Sequence, residues 1–171
     1  MDRYLSRLQQ ELAAAISGLT PGQMSWRPPG KWCTAEVLEH LYLTYTGTIK
    51  GFQKVSAANH PVCSKSSIVQ FAGRLLVFGF SYLPSGRTAP VTARPRGLPR
   101  ETILAEIDGK IAEMGQIISK CENTLGRGPL LNHPILGPLT ALQWRKFHLI
   151  HGRHHIKQIR FLRQNAVLSD K

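Results

Sequence analysis

Apolar residues recur every three or four positions over much of this chain, and that spacing predicts helices. Leu5, Leu8, Leu12 and Ile16 line one face of a first helix that stops before Gly18. Thr20-Pro21-Gly22-Gln23 reads as a capping box with proline at the first helical position, so a short helical turn follows before Arg27-Pro28-Pro29-Gly30 breaks it. A second long helix is expected from about Trp32 to Ala58, with Val37, His40, Leu41, Thr44 and Thr48 on its inward side. The apolar run from Ile68 to Phe80 predicts an inserted helix, and residues 84–99, rich in Pro, Gly and Arg, predict an irregular excursion. Ile103, Ile107, Ile111, Met114, Ile118, Cys121 and Leu125 then repeat at threes and fours, the seam of a bundle helix that Gly126, Gly128 and Pro129 end. Asn132 to Pro138 reads as loop. Thr140 and Gln143 form a capping box that opens a last helix, Ala141 to about Arg163. No period-2 alternation marks a strand. The expectation is one all-α domain over residues 1–171, a four-helix bundle with an inserted helix and a long irregular loop between the second and third bundle helices.

The net charge of +12 changes the picture only in part. Such a surplus invites nucleic acid, a membrane surface or an anionic small molecule. Here the basic residues are dispersed. Arg87, Arg94, Arg96 and Arg100 fall in the irregular excursion, and Arg145, Lys146, Arg153, Lys157, Arg160 and Arg163 fall on the last helix away from its histidines. Both groups read as solvated faces. A helix-turn-helix, a zinc finger and interleaved aromatics are all missing, so nucleic acid is not the expected partner. The most apolar stretch, 68–83, is interrupted by Arg74 and too short to span a bilayer. The amphipathic start lacks a signal-peptide pattern, and the expectation is a cytoplasmic protein with no membrane partner. Three cysteines without CxxC spacing predict reduced thiols, neither a disulfide framework nor a thiolate zinc site.

The histidines carry the chemistry. On a helical wheel of about 100° per residue, His151 and His155 fall on the same inward side of the last helix as Trp144, Phe147, Gln158 and Leu162, with His148 and His154 flanking them. Imidazoles are costly to bury in number without partners. One inward histidine is usually a satisfied core residue. Two at i, i+4 can converge on one ion, as they do on an HExxH helix, although the glutamate of that motif is absent here. With His40 from the second helix, three neutral imidazoles could hold a divalent ion and leave coordination positions open. On the residues alone, that reading and the reading of a histidine-rich bundle interior stand level.

The run from Leu19-Thr20-Pro21-Gly22-Gln23 to Trp26-Arg27-Pro28, then Trp32-Cys33-Thr34-Ala35-Glu36 to Glu39-His40-Leu41, and finally His151-Gly152-Arg153-His154-His155 to Gln158-Ile159, together resemble the DinB-like superfamily. The run His133 to Thr140, with Trp144 and Phe147, looks like one branch of it. The superfamily includes metal-dependent hydrolases and thiol-dependent transferases. The resemblance implies a four-helix bundle of up-down-down-up connectivity and a metal held by His40, His151 and His155. It places His154 beside the ligands rather than among them, and His148, also one turn from His151, is the main rival ligand. One position departs from the pattern. The family commonly has Ser or Thr after the Trp, and here it is Cys33, with Glu36 in place three residues on. A thiol caps poorly, so Thr34 is expected to cap instead and move the helix start by one residue. Cys33 itself is either a stand-in for the hydroxyl or a reactive thiol.

The resemblance also implies the chemistry. The ion, zinc, nickel or iron, would activate a low-molecular-weight thiol, or water, for transfer to or hydrolysis of a small-molecule substrate. An anionic thiol would suit the basic surplus, with Arg27 or an arginine of the 84–100 segment meeting its carboxylate. Gln158 and Trp144 are candidates for orienting a ligand, and His133 is at most an acid or base, with a loop role the blander alternative. The second expectation is non-catalytic: a metal-binding or stress-response bundle that acts through partners or through a homodimer face on Ile68 to Phe80.

Overall fold

The computed structural model describes residues 2–81, 83 and 89–169, with side chains to residue 167. Six helices run α1 (Arg3–Ile16), α2 (Pro21–Ser25), α3 (Thr34–Ala58), α4 (Ile68–Phe80), α5 (Arg100–Leu125) and α6 (Ala141–Ser169), with strands β1 (Pro129–His133) and β2 (Gly137–Thr140) before the last helix. The long helices α1, α3, α5 and α6 form the bundle. Among them α3 packs most extensively along α5, and α1 along α6. The fold is all-α, as the periodicity predicts.

Most boundaries have the local cause the sequence suggests. Asp2 Oδ1 accepts the Tyr4 N–H at 2.9 Å and starts α1. Thr20 and Gln23 exchange side-chain to backbone hydrogen bonds at the start of α2, and Thr140 and Gln143 do the same at the start of α6. The inward face of α1 is Leu5, Leu8, Leu12 and Ala15, all buried, with Ile16 only partly covered.

Four expectations change. The start of α3 does not shift to Thr34: Cys33 is the N-cap, its backbone N–H held by Glu36 Oε2 at 2.8 Å, so the glutamate half of the box sets the boundary. Residues 132–138 are not simple loop but most of an antiparallel hairpin, paired Leu131↔Leu139, Asn132↔Pro138 and His133↔Gly137, with an irregularity at Leu130. Prolines at 129 and 138 hide it from any alternation rule. Tertiary burial drives it, because Leu130 and Leu139 are both fully buried and Trp144 Nε1 donates to Leu131 O at 3.1 Å. The third change concerns the far face of α6, which is not uniformly solvated. Arg145 is buried, with Nη1 2.7 Å from Glu122 Oε2 and Nη2 2.9 Å from Ser119 Oγ, while Arg153 is clasped by Glu11. Lys157 and Arg160 do face solvent. Finally, α6 continues past residue 163 to Ser169. Among the described residues of the irregular excursion, a 3-10 turn, Val91–Ala93, stands against α3. Residues 84–88, Arg87 included, lie outside the described residues.

Candidate metal centre

The register of two bundle helices creates the site. His40 lies in the second turn of α3, and His151 and His155 lie one turn apart on α6. Gly152 permits the approach of α6 to α1: a Cβ there would overlap Leu8 Cδ1. His151 Nε2 then stands 3.3 Å from His40 Nε2 and 3.1 Å from His155 Nε2. One ring nitrogen from each of the three lies within 4.8 Å of the others. His40 and His155 are buried, and His151 is partly buried with its Nδ1 sealed and unpartnered. Phe147 stacks on His151 at an interplanar angle of 11°, and Trp32 leans on His40 with ring centroids 5.3 Å apart.

The outer nitrogens decide what the inner ones are. His40 Nδ1 is 2.7 Å from Ala93 O in the 3-10 turn. A carbonyl only accepts, so Nδ1 carries the proton and Nε2 of the neutral ring presents a lone pair. His155 Nδ1 donates to Gln158 Oε1 at 2.8 Å, which leaves its Nε2 a lone pair too. Burial, with mutual repulsion among the rings, holds all three neutral: it pushes His155 down to about 3, His151 well below the ordinary range, and His40 down as well. His151 Nε2 can offer at most one proton to two facing lone pairs. The cluster therefore lacks positive charge at its centre.

The donor set fits a divalent ion. Nitrogens at about 2.0–2.1 Å from one tetrahedral centre lie roughly 3.3 Å apart, and the two Nε2 spacings above match that. Neutral imidazole is also the protonation state a metal requires.

The other predicted residues take separate places. His148, fully buried and pushed down to about 3 by desolvation, directs Nε2 at Thr48 Oγ1, 3.1 Å away. The Thr48 hydroxyl donates to Thr44 O, so His148 Nε2 carries its proton toward Thr48 and stands outside the cluster. His154 is only partly buried, its Nε2 3.3 Å from Gln158 Nε2, so Gln158 bridges it to His155. His133 Nδ1 accepts the backbone N–H groups of Ile135 and Leu136 in the hairpin turn. Trp144 is a buried strut and stacks with His148. Arg27 is engaged by Glu36 at 3.0 Å on the surface. Burial pushes the thiol of Cys33 up, away from a reactive thiolate.

Two contributors are not among the residues singled out from the sequence. Ala93 acts through its carbonyl. Glu39, buried beside His40, accepts the backbone N–H groups of Arg96 at 2.8 Å and Gly97 at 3.1 Å, and so pins the segment that brings Ala93 to His40. An acid next to an inward histidine was the one available hint, and it acts on the loop rather than on the imidazole.

A family model described as the DinB superfamily matches residues 4–159. No curated protein and no solved structure matches the chain.

Proposed function

Because the chain belongs to the DinB superfamily, we propose that it is a metal-dependent enzyme whose divalent ion is held by His40, His151 and His155. The convergence of three neutral imidazoles through their Nε2 atoms carries this reading. A divalent ion with open positions supplies a low-molecular-weight thiol, or water, as a nucleophile at neutral pH. The protein's own residues would do the rest. Ala93 O and Gln158 Oε1 hold two of the rings in the ligating tautomer. Phe147 and Trp32 keep water from the backs of the rings. Arg96, exposed three residues beyond Ala93 with its backbone anchored by Glu39, is placed to meet the carboxylate of an anionic thiol. The activity is assigned to a cytoplasmic setting and a small-molecule electrophile.

A second reading has one observation in its favour. Among the described residues, no carboxylate contacts any of the three imidazoles, the usual device for raising ligand basicity. On that reading the bundle binds metal without turnover.

Elemental mass spectrometry of the untagged protein beside His40→Ala and His151→Ala tests the first step. About one ion per chain, lost in both variants, is expected for a three-ligand site. No ion in the wild type, even after titration with zinc, nickel and iron, would remove the proposal. Turnover of the loaded protein across a panel of low-molecular-weight thiols and electrophiles then separates enzyme from binding bundle.

A further inference from the structure

Folding gathers charge that is spread through the sequence. α6 carries Arg145, Lys146, Arg153, Lys157, Arg160 and Arg163 and no carboxylate. α5, which packs chiefly on α3, carries Glu101, Glu106, Asp108, Glu113 and Glu122, half of the chain's ten. At about 100° per residue, Lys146, Arg153, Lys157 and Arg160 fall within roughly 60° of one another on α6. α1 lies alongside and runs the same way: Glu11 clasps Arg153, and further on Arg163 donates to Ser17 O. Arg3 and Arg7, one turn apart on α1, complete the second wall. Between the two helices lies a trough, formed by two cavities of about 340 and 300 Å³ that share Arg153. Leu149, Ile150 and Ile156, all buried, lie beneath it.

We infer that this trough binds the phosphate backbone of a nucleic-acid duplex without reading its sequence. Charge, length and shape carry the inference. Arg3, Arg7, Lys146, Arg153, Lys157 and Arg160 line the trough. Against these six cations stand Glu11, which Arg7 and Arg153 share, and Asp2, which caps α1 beside Arg3. Four positive charges are left without a carboxylate. Lys146 Nζ rests on Phe78 O and Arg3 on the Tyr4 hydroxyl, neither of which is an anion. Arg3, Arg7, Lys157 and Arg160 are exposed. From Lys146 to Arg160 the row extends about 21 Å at 1.5 Å per residue. That is too long for one phosphate or carboxylate, and it suits a rod with one negative charge per ~1.7 Å of axis. Cations on both walls fit the ridge of a backbone strand, whereas a flat lipid surface would meet only the rims. A single strand is disfavoured because its bases need rings to stack on. Among the described residues the one aromatic ring lining the trough, Tyr4, is covered by the Arg3 guanidinium. The basic residues that the sequence presents as separate solvated faces become one surface because α1 lies beside α6.

The inference does not rest on the metal reading, and its test needs no activity. Fluorescence anisotropy of the full chain with labelled DNA and RNA duplexes of about 20 base pairs should give a Kd on the order of 10 μM at 50 mM salt, alike for two unrelated sequences. With about four phosphates neutralised, affinity should fall about 100-fold between 50 and 200 mM salt. Arg3→Glu with Arg160→Glu, one at each end of the trough, should weaken binding about tenfold or more and reduce the log–log salt slope by about two. Lys50→Glu with Lys54→Glu, exposed on α3, makes the same change in net charge and should weaken binding by less than about threefold. Should circular dichroism show the trough pair misfolded, Arg3→Gln with Arg160→Gln should give the same loss of slope. No binding to either duplex at 50 mM salt overturns the inference. An equal loss in the trough and α3 pairs also overturns it, since net charge alone would then account for binding. Flotation with phosphatidylserine-containing vesicles that the trough pair abolishes, without duplex binding, overturns it as well and gives the trough to lipid.

Discussion

Two histidine clusters lie side by side on α6, and they differ in one respect. His148 and His151 are neighbours one turn apart, the first fully buried and the second partly so, and burial holds both neutral. His148 finds a hydroxyl, and the Thr48 oxygen absorbs its proton in a closed hydrogen bond. His151 finds two more imidazoles, whose inner nitrogens are lone pairs because their outer nitrogens are already donors. The lesson is that burial and residue type do not make a ligand. For His40 and His155 the partner on the far nitrogen matters, because it leaves the near one a lone pair; His148 and His151, both with an unpartnered Nδ1, differ in what faces Nε2.

That contrast is easiest to break at its centre. His151→Ala should take bound metal from about one ion per chain to none. His148→Ala should keep the ion but lose about 2–4 kcal/mol of stability to the cavity it opens. Elemental analysis paired with thermal melts reads both, and metal loss in the His148 variant would erase the distinction.

Acid should sharpen it. A histidine held down by burial takes up its proton on unfolding below about pH 6.5, so its contribution is whole above that pH and is lost as pH falls toward the folded value. For His148 and His155 that value is about 3. Each such residue should cost about 1.4 kcal/mol per pH unit across the window. Denaturant melts of metal-free protein between pH 7 and 4 should show a decline starting near pH 6.5, above the carboxylate range. His148→Phe should make the decline shallower by one residue's share without moving the pH at which the loaded protein releases its ion.

A smaller effect comes from the support around the cluster. Glu39→Gln weakens the clamp on Arg96 and Gly97, and with it the hold of Ala93 O on His40. Metal affinity should fall on the order of 10–100-fold, measured by competition with a chromophoric chelator. Unchanged affinity would mean that the 3-10 turn is held without Glu39. The smallest change belongs to the other cluster. Thr48→Val should cost about 1–3 kcal/mol for the stranded His148 proton and leave metal affinity untouched, as calorimetry and the same competition assay can verify.

Much of the bundle was legible because its causes are local. The leucines of α1, the isoleucine seam of α5 and the Thr-to-Gln boxes at 20–23 and 140–143 act through neighbours a few residues away, so spacing alone predicts them. The hairpin at 129–140 was not legible, since its strands are short, hold prolines and pair because Leu130 and Leu139 are buried by distant helices. Arg145 was misplaced for a related reason: a wheel divides one helix into faces but does not know that α5 brings Glu122 and Ser119 against it.

By itself the sequence determined that His40, His151 and His155 would be inward-facing histidines on two helices, because helical periodicity is a property of the chain. It could not decide between a packed interior and a place for an ion. What the tertiary structure adds is the convergence itself: it sets α3 against α6 so that the three rings meet, and it lays the carbonyl of Ala93, 53 residues from His40, against the one nitrogen whose proton orients the ring. Coordination depends on distances and tautomers, and both are set by contacts between segments far apart in the chain.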